Sequence, residues 1–145
     1  MPLSATAGTL PAGAQPKILI VEDDRFLIKI LLAKFQKEGF ETRAALEGEA
    51  ALRELESFSP SVILLDIIMP KLNGFELLAI LKANPKYADI PVVVLSNLSQ
   101  EEDTRRAKDL GAADFFVKAD VSINEVASRV REVIAKQLAK RPHRS

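Results

Sequence analysis

The 145-residue chain has no cysteine and a single histidine, His143. The first absence excludes disulfides, thiol nucleophiles and thiolate-bound metal, and it fits a reducing compartment. The second excludes imidazole catalysis and histidine metal clusters, since His143 stands in a polar stretch near the C-terminus. Net charge is missing as well. Twenty basic residues balance twenty acidic ones, which leaves no electrostatic footprint for nucleic acid or an anionic membrane. No apolar run approaches the ~18 residues that suggest a membrane span. Met1 to Pro16 lacks both a basic start and a continuous apolar segment, so it does not read as a secretory signal. The expectation is a cytoplasmic protein with a disordered or loosely attached tail over 1–16, one domain over 17–139 and a polar tail over 140–145.

Short apolar runs are what the chain does contain. Val62-Ile63-Leu64-Leu65 is too short for a globular helix and reads as a strand buried on both faces, ending on Asp66. Met69-Pro70 and Asn73-Gly74 then turn the chain into the next helix. Lys17 to Val21 is a similar strand, followed directly by Glu22-Asp23-Asp24. Arg25 to Glu38 carries Leu27, Ile30, Leu31 and Phe35 at helical spacing, with Gly39 as the stop. Phe40 to Ala45 reads as a less buried strand, and Glu47 to Phe58 as a helix turning Ala51, Leu52 and Leu55 inward. Asn73, with Glu76 three residues on, opens a helix to about Ala83. Val92 to Leu95 is a strand ending on Ser96. Ser99 to Glu102 reads as a capping box for a very polar fourth helix that stops at Gly111. Phe115 to Val117 is a fifth strand, ending on Lys118. Ser122 to Glu125 caps a last helix with Ile123, Val126, Val130, Val133, Ile134 and Leu138 on one face. Strands alternating with helices predict an α/β fold: a doubly wound, five-stranded parallel sheet, flavodoxin-like, in the order 2-1-3-4-5, with helices on both faces.

In such a sheet the carboxyl ends of the strands share one edge. Glu22, Asp23, Asp24, Asp66, Ser96 and Lys118 therefore converge there. Crowded carboxylates raise the cost of ionising one another, and a hard divalent cation such as Mg²⁺ relieves it through oxygen ligands. A free carboxylate beside such an ion is a competent nucleophile toward phosphorus, and phosphoryl transfer needs positioning and charge neutralisation above all. Lys118 and Ser96 can donate to the new phosphoryl oxygens.

From about Lys17 to Leu138 the chain resembles the receiver domain of two-component response regulators, of the single-domain, chemotaxis-regulator-like kind. The motifs are Ile20-Val21-Glu22-Asp23-Asp24, Leu65-Asp66-Ile67-Ile68-Met69-Pro70 with Gly74, Leu95-Ser96, Gly111-Ala112 and Val117-Lys118. The resemblance implies that Asp66 is the phosphoacceptor. Asp23 is then the direct metal ligand, Glu22 acts mainly through metal-bound water, and Asp66 and the backbone carbonyl of Ile68 complete the protein ligands. The ion is Mg²⁺, with Mn²⁺ able to stand in. Ser96 is the switch hydroxyl that turns toward the phosphoryl group, Lys118 is that group's salt-bridge partner, and Phe115 is either an aromatic switch or core packing. Asp24 reads equally as a helix N-cap or a further metal ligand. The donor is a histidine kinase or histidine phosphotransfer protein. Output passes to an unknown protein through helix 4, strand 5 and helix 5, with room for a homodimer on phosphorylation and no direct contact with nucleic acid or membrane.

The chain departs from the family pattern at Ala119, where a proline in a cis peptide is usual; without it the Lys118–Ala119 bond should be trans. Asn97 stands where a smaller residue is commoner and could narrow access to the site. Ile68 and Leu98 occupy positions that tune acyl-phosphate hydrolysis, and neither can hold an attacking water, so slow self-dephosphorylation is expected. Three rivals remain at this point. A Mg²⁺-dependent haloacid-dehalogenase phosphatase needs an Asp where Ile68 stands. An FMN binder would place phosphate against Glu22-Asp23-Asp24. A receiver-like scaffold would work without phosphorylation.

Overall fold

The computed structural model describes residues 15–140. In chain order the elements are β1 (Lys17–Val21), α1 (Arg25–Lys37), β2 (Glu41–Ala45), α2 (Gly48–Glu54), β3 (Val62–Leu65), α3 (Gly74–Ala83), β4 (Val92–Ser96), α4 (Glu101–Asp109), β5 (Asp114–Val117), a 3₁₀ turn (Lys118–Asp120) and α5 (Ile123–Lys140). The five strands form one sheet in the order β2-β1-β3-β4-β5, every pair parallel, as the alternating pattern predicts.

The central strands are apolar but for Lys17 at the start of β1 and Ser96 at the end of β4, because helices cover both faces. Leu19, Val21, Ile63, Leu65, Val92 and Val94 point into one cluster with residues of α2, α3 and α4. Ile18, Ile20, Val62, Leu64, Val93 and Leu95 point into the other, with α1 and α5. The outer face of that second layer is closed by polar contacts between distant parts of the chain. Lys34 Nζ donates to Asn124 Oδ1 at 2.6 Å, and Glu38 is bonded by both Lys34 and Arg131.

Several local expectations need correction. In α1 the buried positions are Ile28, Leu31 and Phe35, while Ile30 is 38% exposed. A stripe at i, i+3 and i+7 leaves Ile30 well off its axis. The second helix ends at Glu54, because Glu56 and Ser57 donate three residues back to Arg53 and Glu54 and tighten the chain into turns. The box at Ser99 does not form: α4 is capped by Gln100, whose side chain makes no cap bond. Leu138 is 39% exposed on the wall of an open groove rather than in the core. The boxes at Asn73–Glu76 and Ser122–Glu125 do form, with both reciprocal bonds. Helix α5 runs one residue past the expected boundary at 139. Most of the expected tails, residues 1–14 and 141–145 with His143, lie outside the described residues. Pro16, expected in the first tail, accepts a hydrogen bond from the Glu41 amide.

The loop after β3 is fixed by a close approach of backbone to backbone. Gly74 donates to the Ile67 carbonyl, and a Cβ on Gly74 would lie 2.5 Å from the Asp66 carbonyl oxygen and from Ile67 Cα. Lys71 in the same loop sits at φ 65, an uncommon left-handed conformation for a residue with a Cβ. Replacing Gly74 with Ala should lower the unfolding free energy by about 3 kcal/mol, since neither backbone can yield cheaply. Gly48→Ala, whose Cβ meets only the Leu72 side chain, should cost less in the same urea titration.

Candidate functional site

Strand register brings the acidic residues together. Val21 pairs with Leu65, so Glu22 and Asp66 leave β1 and β3 side by side, each anchored by its own amide: Glu22 to the Ala45 carbonyl, Asp66 to the Val21 carbonyl. Ser96 pairs with Val117 across β4 and β5, which delivers Lys118 to the same edge.

Glu22 and Asp66 are 2% and 4% exposed, whereas Asp23 faces solvent. One carboxylate oxygen from each of the three lies within 4.8 Å of the others. Lys118 Nζ reaches Glu22 Oε1 at 2.9 Å and Asp66 Oδ2 at 3.3 Å. The remaining contacts orient the acids: Ile68 N–H donates to Asp66 Oδ1 at 3.2 Å and Asp24 N–H to Glu22 Oε2 at 3.0 Å. Burial pushes the Glu22 carboxyl up to about 7; the Lys118 hydrogen bond and the Asp24 amide oppose this, and the Asp66 charge adds to it. Burial alone would depress Lys118, but its hydrogen bond to Glu22 and the charges of Asp66 and Glu22 hold it above the ordinary lysine range.

Three carboxylates thus face one ammonium. The uncompensated negative charge, the all-oxygen donor set and the exposed side offered by Asp23 fit a hard divalent cation such as Mg²⁺ or Mn²⁺. Ser96 is fully buried at the end of β4, its hydroxyl accepting a long 3.4 Å bond from Leu98 N–H. Phe115, opposite Val94, is half-buried against the α2–α3–α4 cluster and lines a cleft of about 450 Å³ between α4 and α5.

Asp24 resolves toward the cap. Its Oδ1 accepts from Phe26 and Leu27 at 3.0 and 3.2 Å, closing the start of α1, and it stands outside the three-carboxylate cluster. No peptide bond among the described residues is cis, and Lys118 opens a short 3₁₀ turn instead. Ser96 stands where the strand reading puts it, at the end of β4 on the same sheet edge as the acids. Sequence reading passed over Phe26, 73% exposed in the first turn of α1, two residues after Asp24. It lies outside the stripe of Leu27, Ile30, Leu31 and Phe35, and an apolar residue off the stripe was the signal that could have found it.

Residues 18–131 match the family model described as the response regulator receiver domain. The chain belongs to this family. It is 34% identical over 124 residues to the transcriptional regulatory protein PrrA of Mycobacterium leprae, covering 86% of this chain and 52% of that one. It is also 34% identical over 120 residues to a gliding motility regulatory protein of Myxococcus xanthus, covering 83% and 15%. The receiver thus spans about half, or less, of the curated relatives it matches. Among solved structures it is similar to a Francisella response regulator receiver domain (TM-score 0.76, 31% identity, 85% of this chain and 98% of that one). It is similar too to the receiver domain of a Syntrophus aciditrophicus signal transduction histidine kinase (TM-score 0.78, 32% identity, 90% and 96%). Phosphorylation-controlled signalling is the general function of receivers, which generally bind Mg²⁺ and interact with histidine kinases or phosphotransfer proteins. Among the described residues no helix is long and apolar enough to cross a membrane.

If Asp24 is a cap and not a ligand, Asp24→Ala should lower stability by about 1 kcal/mol. The Mg²⁺ titration midpoint of the variant should stay within about two-fold of the parent, whereas loss of a ligand would shift it by ten-fold or more.

Proposed function

We propose that Asp66 accepts a phosphoryl group from a histidine kinase or histidine phosphotransfer protein, and that the acyl phosphate switches protein contacts made by the opposite half of the sheet. The observation that carries this reading is the held carboxylate: Asp66 is buried, its Oδ1 fixed by the Ile68 amide and its Oδ2 by Lys118. A nucleophile fixed in this way loses little further freedom at the moment of attack. A bond forms between an Asp66 oxygen and phosphorus as the phosphorus–nitrogen bond of the donor histidine breaks.

Glu22, Asp23, Asp66 and the backbone carbonyl of Ile68 would hold Mg²⁺ or Mn²⁺, which when bound neutralises charge on the phosphoryl oxygens. Lys118 would exchange its Asp66 contact for a phosphoryl oxygen while keeping Glu22. Ser96 holds its Leu98 contact only loosely, which leaves the hydroxyl able to turn and donate to the same group. Phe115 would follow into the space Ser96 vacates, changing the surface of β5. Helix α4 suits such a change: Ala107 is its only buried residue, and Arg106 stacks 4.1 Å from the Phe75 ring. Output would then pass to a partner protein, or to a homodimer, through α4, β5 and α5. The phosphodonor would cover the exposed apolar rim of Phe26, Ile30 and Ile68, which lies within a few residues of the acids along the chain. The receiver over residues 17–139 would serve either by itself or as one part of a longer protein.

Incubation with acetyl phosphate and Mg²⁺ should add one phosphoryl group by intact mass, and neither Asp66→Asn nor a sample with EDTA should gain it. No adduct on the folded, Mg²⁺-saturated protein would favour a scaffold that works without phosphorylation. The Ile68→Asn, Leu98→Glu double variant should lose its phosphoryl group at least about ten-fold faster, since it gains polar groups able to hold an attacking water; unchanged decay would sink the lifetime argument. Phe26→Asp should slow transfer from a protein donor by ten-fold or more while leaving the acetyl phosphate rate within about two-fold. Equal slowing of both would place Phe26 in the chemistry rather than in docking.

A further inference from the structure

The loop from Asp66 to Asn73 holds the proposed phosphoacceptor and the Ile68 carbonyl proposed as a metal ligand. Its first side chains alternate between core and solvent. Ile67 and Met69 are 3% and 7% exposed in the α2–α3–α4 cluster, whereas Ile68 between them is 54% exposed. Past Pro70 the chain turns through Lys71 at φ 65, and Leu72 packs back against the same cluster. A residue with a Cβ stays in that left-handed conformation only where its neighbours are firmly held. The core holds Met69 on one side. On the other side the holder is the start of α2.

Gly48 opens α2 and is buried; a Cβ placed on it would lie 2.8 Å from Leu72 Cδ2 and 3.1 Å from Leu72 Cβ and Cγ. Its φ is not positive, unlike that of Gly39 and Gly111, so no unusual backbone conformation calls for glycine here. The missing side chain supplies room, and Leu72 takes it. Glu47, the residue before, caps α2 by position only: its side chain makes no cap bond, and its Oε1 stands 3.8 Å from Lys71 Nζ. Two consecutive loop residues thus meet two consecutive residues at the start of α2, one by charge and one by packing. Helix α2 belongs to neither the rim proposed for the phosphodonor nor the face proposed for output.

We propose that Leu72, seated on Gly48, is a positioning residue for the metal site, setting the loop that carries both polar groups of Ile68. The proposal rests on the roles given above to Asp66 and the Ile68 carbonyl. Little between Leu72 and Ile68 can absorb a shift. Met69 is buried and restricted by the proline after it, Pro70 has a fixed φ, and Lys71 is already in an unfavourable conformation. A displaced Leu72 therefore moves the Ile68 carbonyl, and with it the Ile68 N–H that donates to Asp66 Oδ1 at 3.2 Å.

Gly48→Ala crowds the contact and Leu72→Ala empties it. In EDTA, the Ile68 and Gly74 amides, which bond within the loop, should exchange about ten-fold faster in either variant, while the amides of β3 keep the parent's rates. Calorimetric titration with Mg²⁺ alone should give a midpoint about five-fold weaker in both variants. Leu72→Met, which refills the space with an apolar chain of similar volume, should return it to within about two-fold of the parent. Asp24→Ala, which loses a helix cap without touching the loop, is the reference for lost stability alone. Loop amides that speed up no more than those of β3, or a Gly48→Ala midpoint equal to that of Asp24→Ala, would overturn the proposal. The exchange measurement needs neither metal nor phosphodonor. A parent that fails to take a phosphoryl group would count against Asp66 as acceptor and leave the role of Leu72 to be decided by exchange.

Discussion

Glu22 and Asp66 leave adjacent parallel strands with their carboxylates toward one another, both nearly inaccessible to water, and only Lys118 stands between them. Water does little to screen charges so placed, and one ammonium cannot balance three carboxylates. The sheet imposes this conflict, because the pairing of Val21 with Leu65 allows no other positions for the residues that follow. Everything around the site reads as a means of holding the conflict in place. Gly74 lets the chain pass close behind Asp66, the Ile68 and Asp24 amides each take one carboxylate oxygen, and Lys118 divides itself between two acids. A domain built only for stability would have dissolved the cluster with a single apolar substitution. Here the strain of like charges is retained, which is the condition under which a cation or a phosphoryl group changes most by arriving.

How much of this was legible in the sequence follows from the range of the forces involved. The three central strands, the sheet order and the convergence of Glu22, Asp23, Asp66 and Lys118 could be read because continuous apolar runs and topology rules fix them together. Capping at Asn73 and Ser122 could be read because both partners of the box lie within one turn. Ser99 offered the same pattern and failed. The cap falls one residue later, at Gln100, and nothing local distinguishes the two registers. Ile28 and Ile30 illustrate the same limit: both are apolar, and only the direction in which α1 meets the sheet decides which is buried. Asp24 was open between cap and ligand until the α1 amides were seen to converge on it.

The halves of the molecule differ in how they are held. β3 and β4 are enclosed at every position and β1 at all but Lys17, but β5 is half-buried throughout and α4 contributes a single buried residue, alanine. Arg106 lies on the Phe75 ring where an aliphatic side chain would otherwise pack. Cation–ring contacts of this kind contribute about 0.5–2 kcal/mol and tolerate rotation better than interlocked apolar side chains do.

The clasp between the first and last helices sets the order in which the chain can become a domain. Lys34 meets Asn124 ninety residues away, and Glu38 meets Arg131 ninety-three away. One face of the sheet is covered only by α1 and α5, so α1 alone shields β1, β3 and β4 on that side until Val126 to Ile134 have been synthesised and have cleared the ribosome. Non-local closure of this sort slows folding and prolongs exposure of apolar strands. Half of the core therefore waits on the last helix, and a cut before Ile123 would leave that side of the sheet with α1 alone.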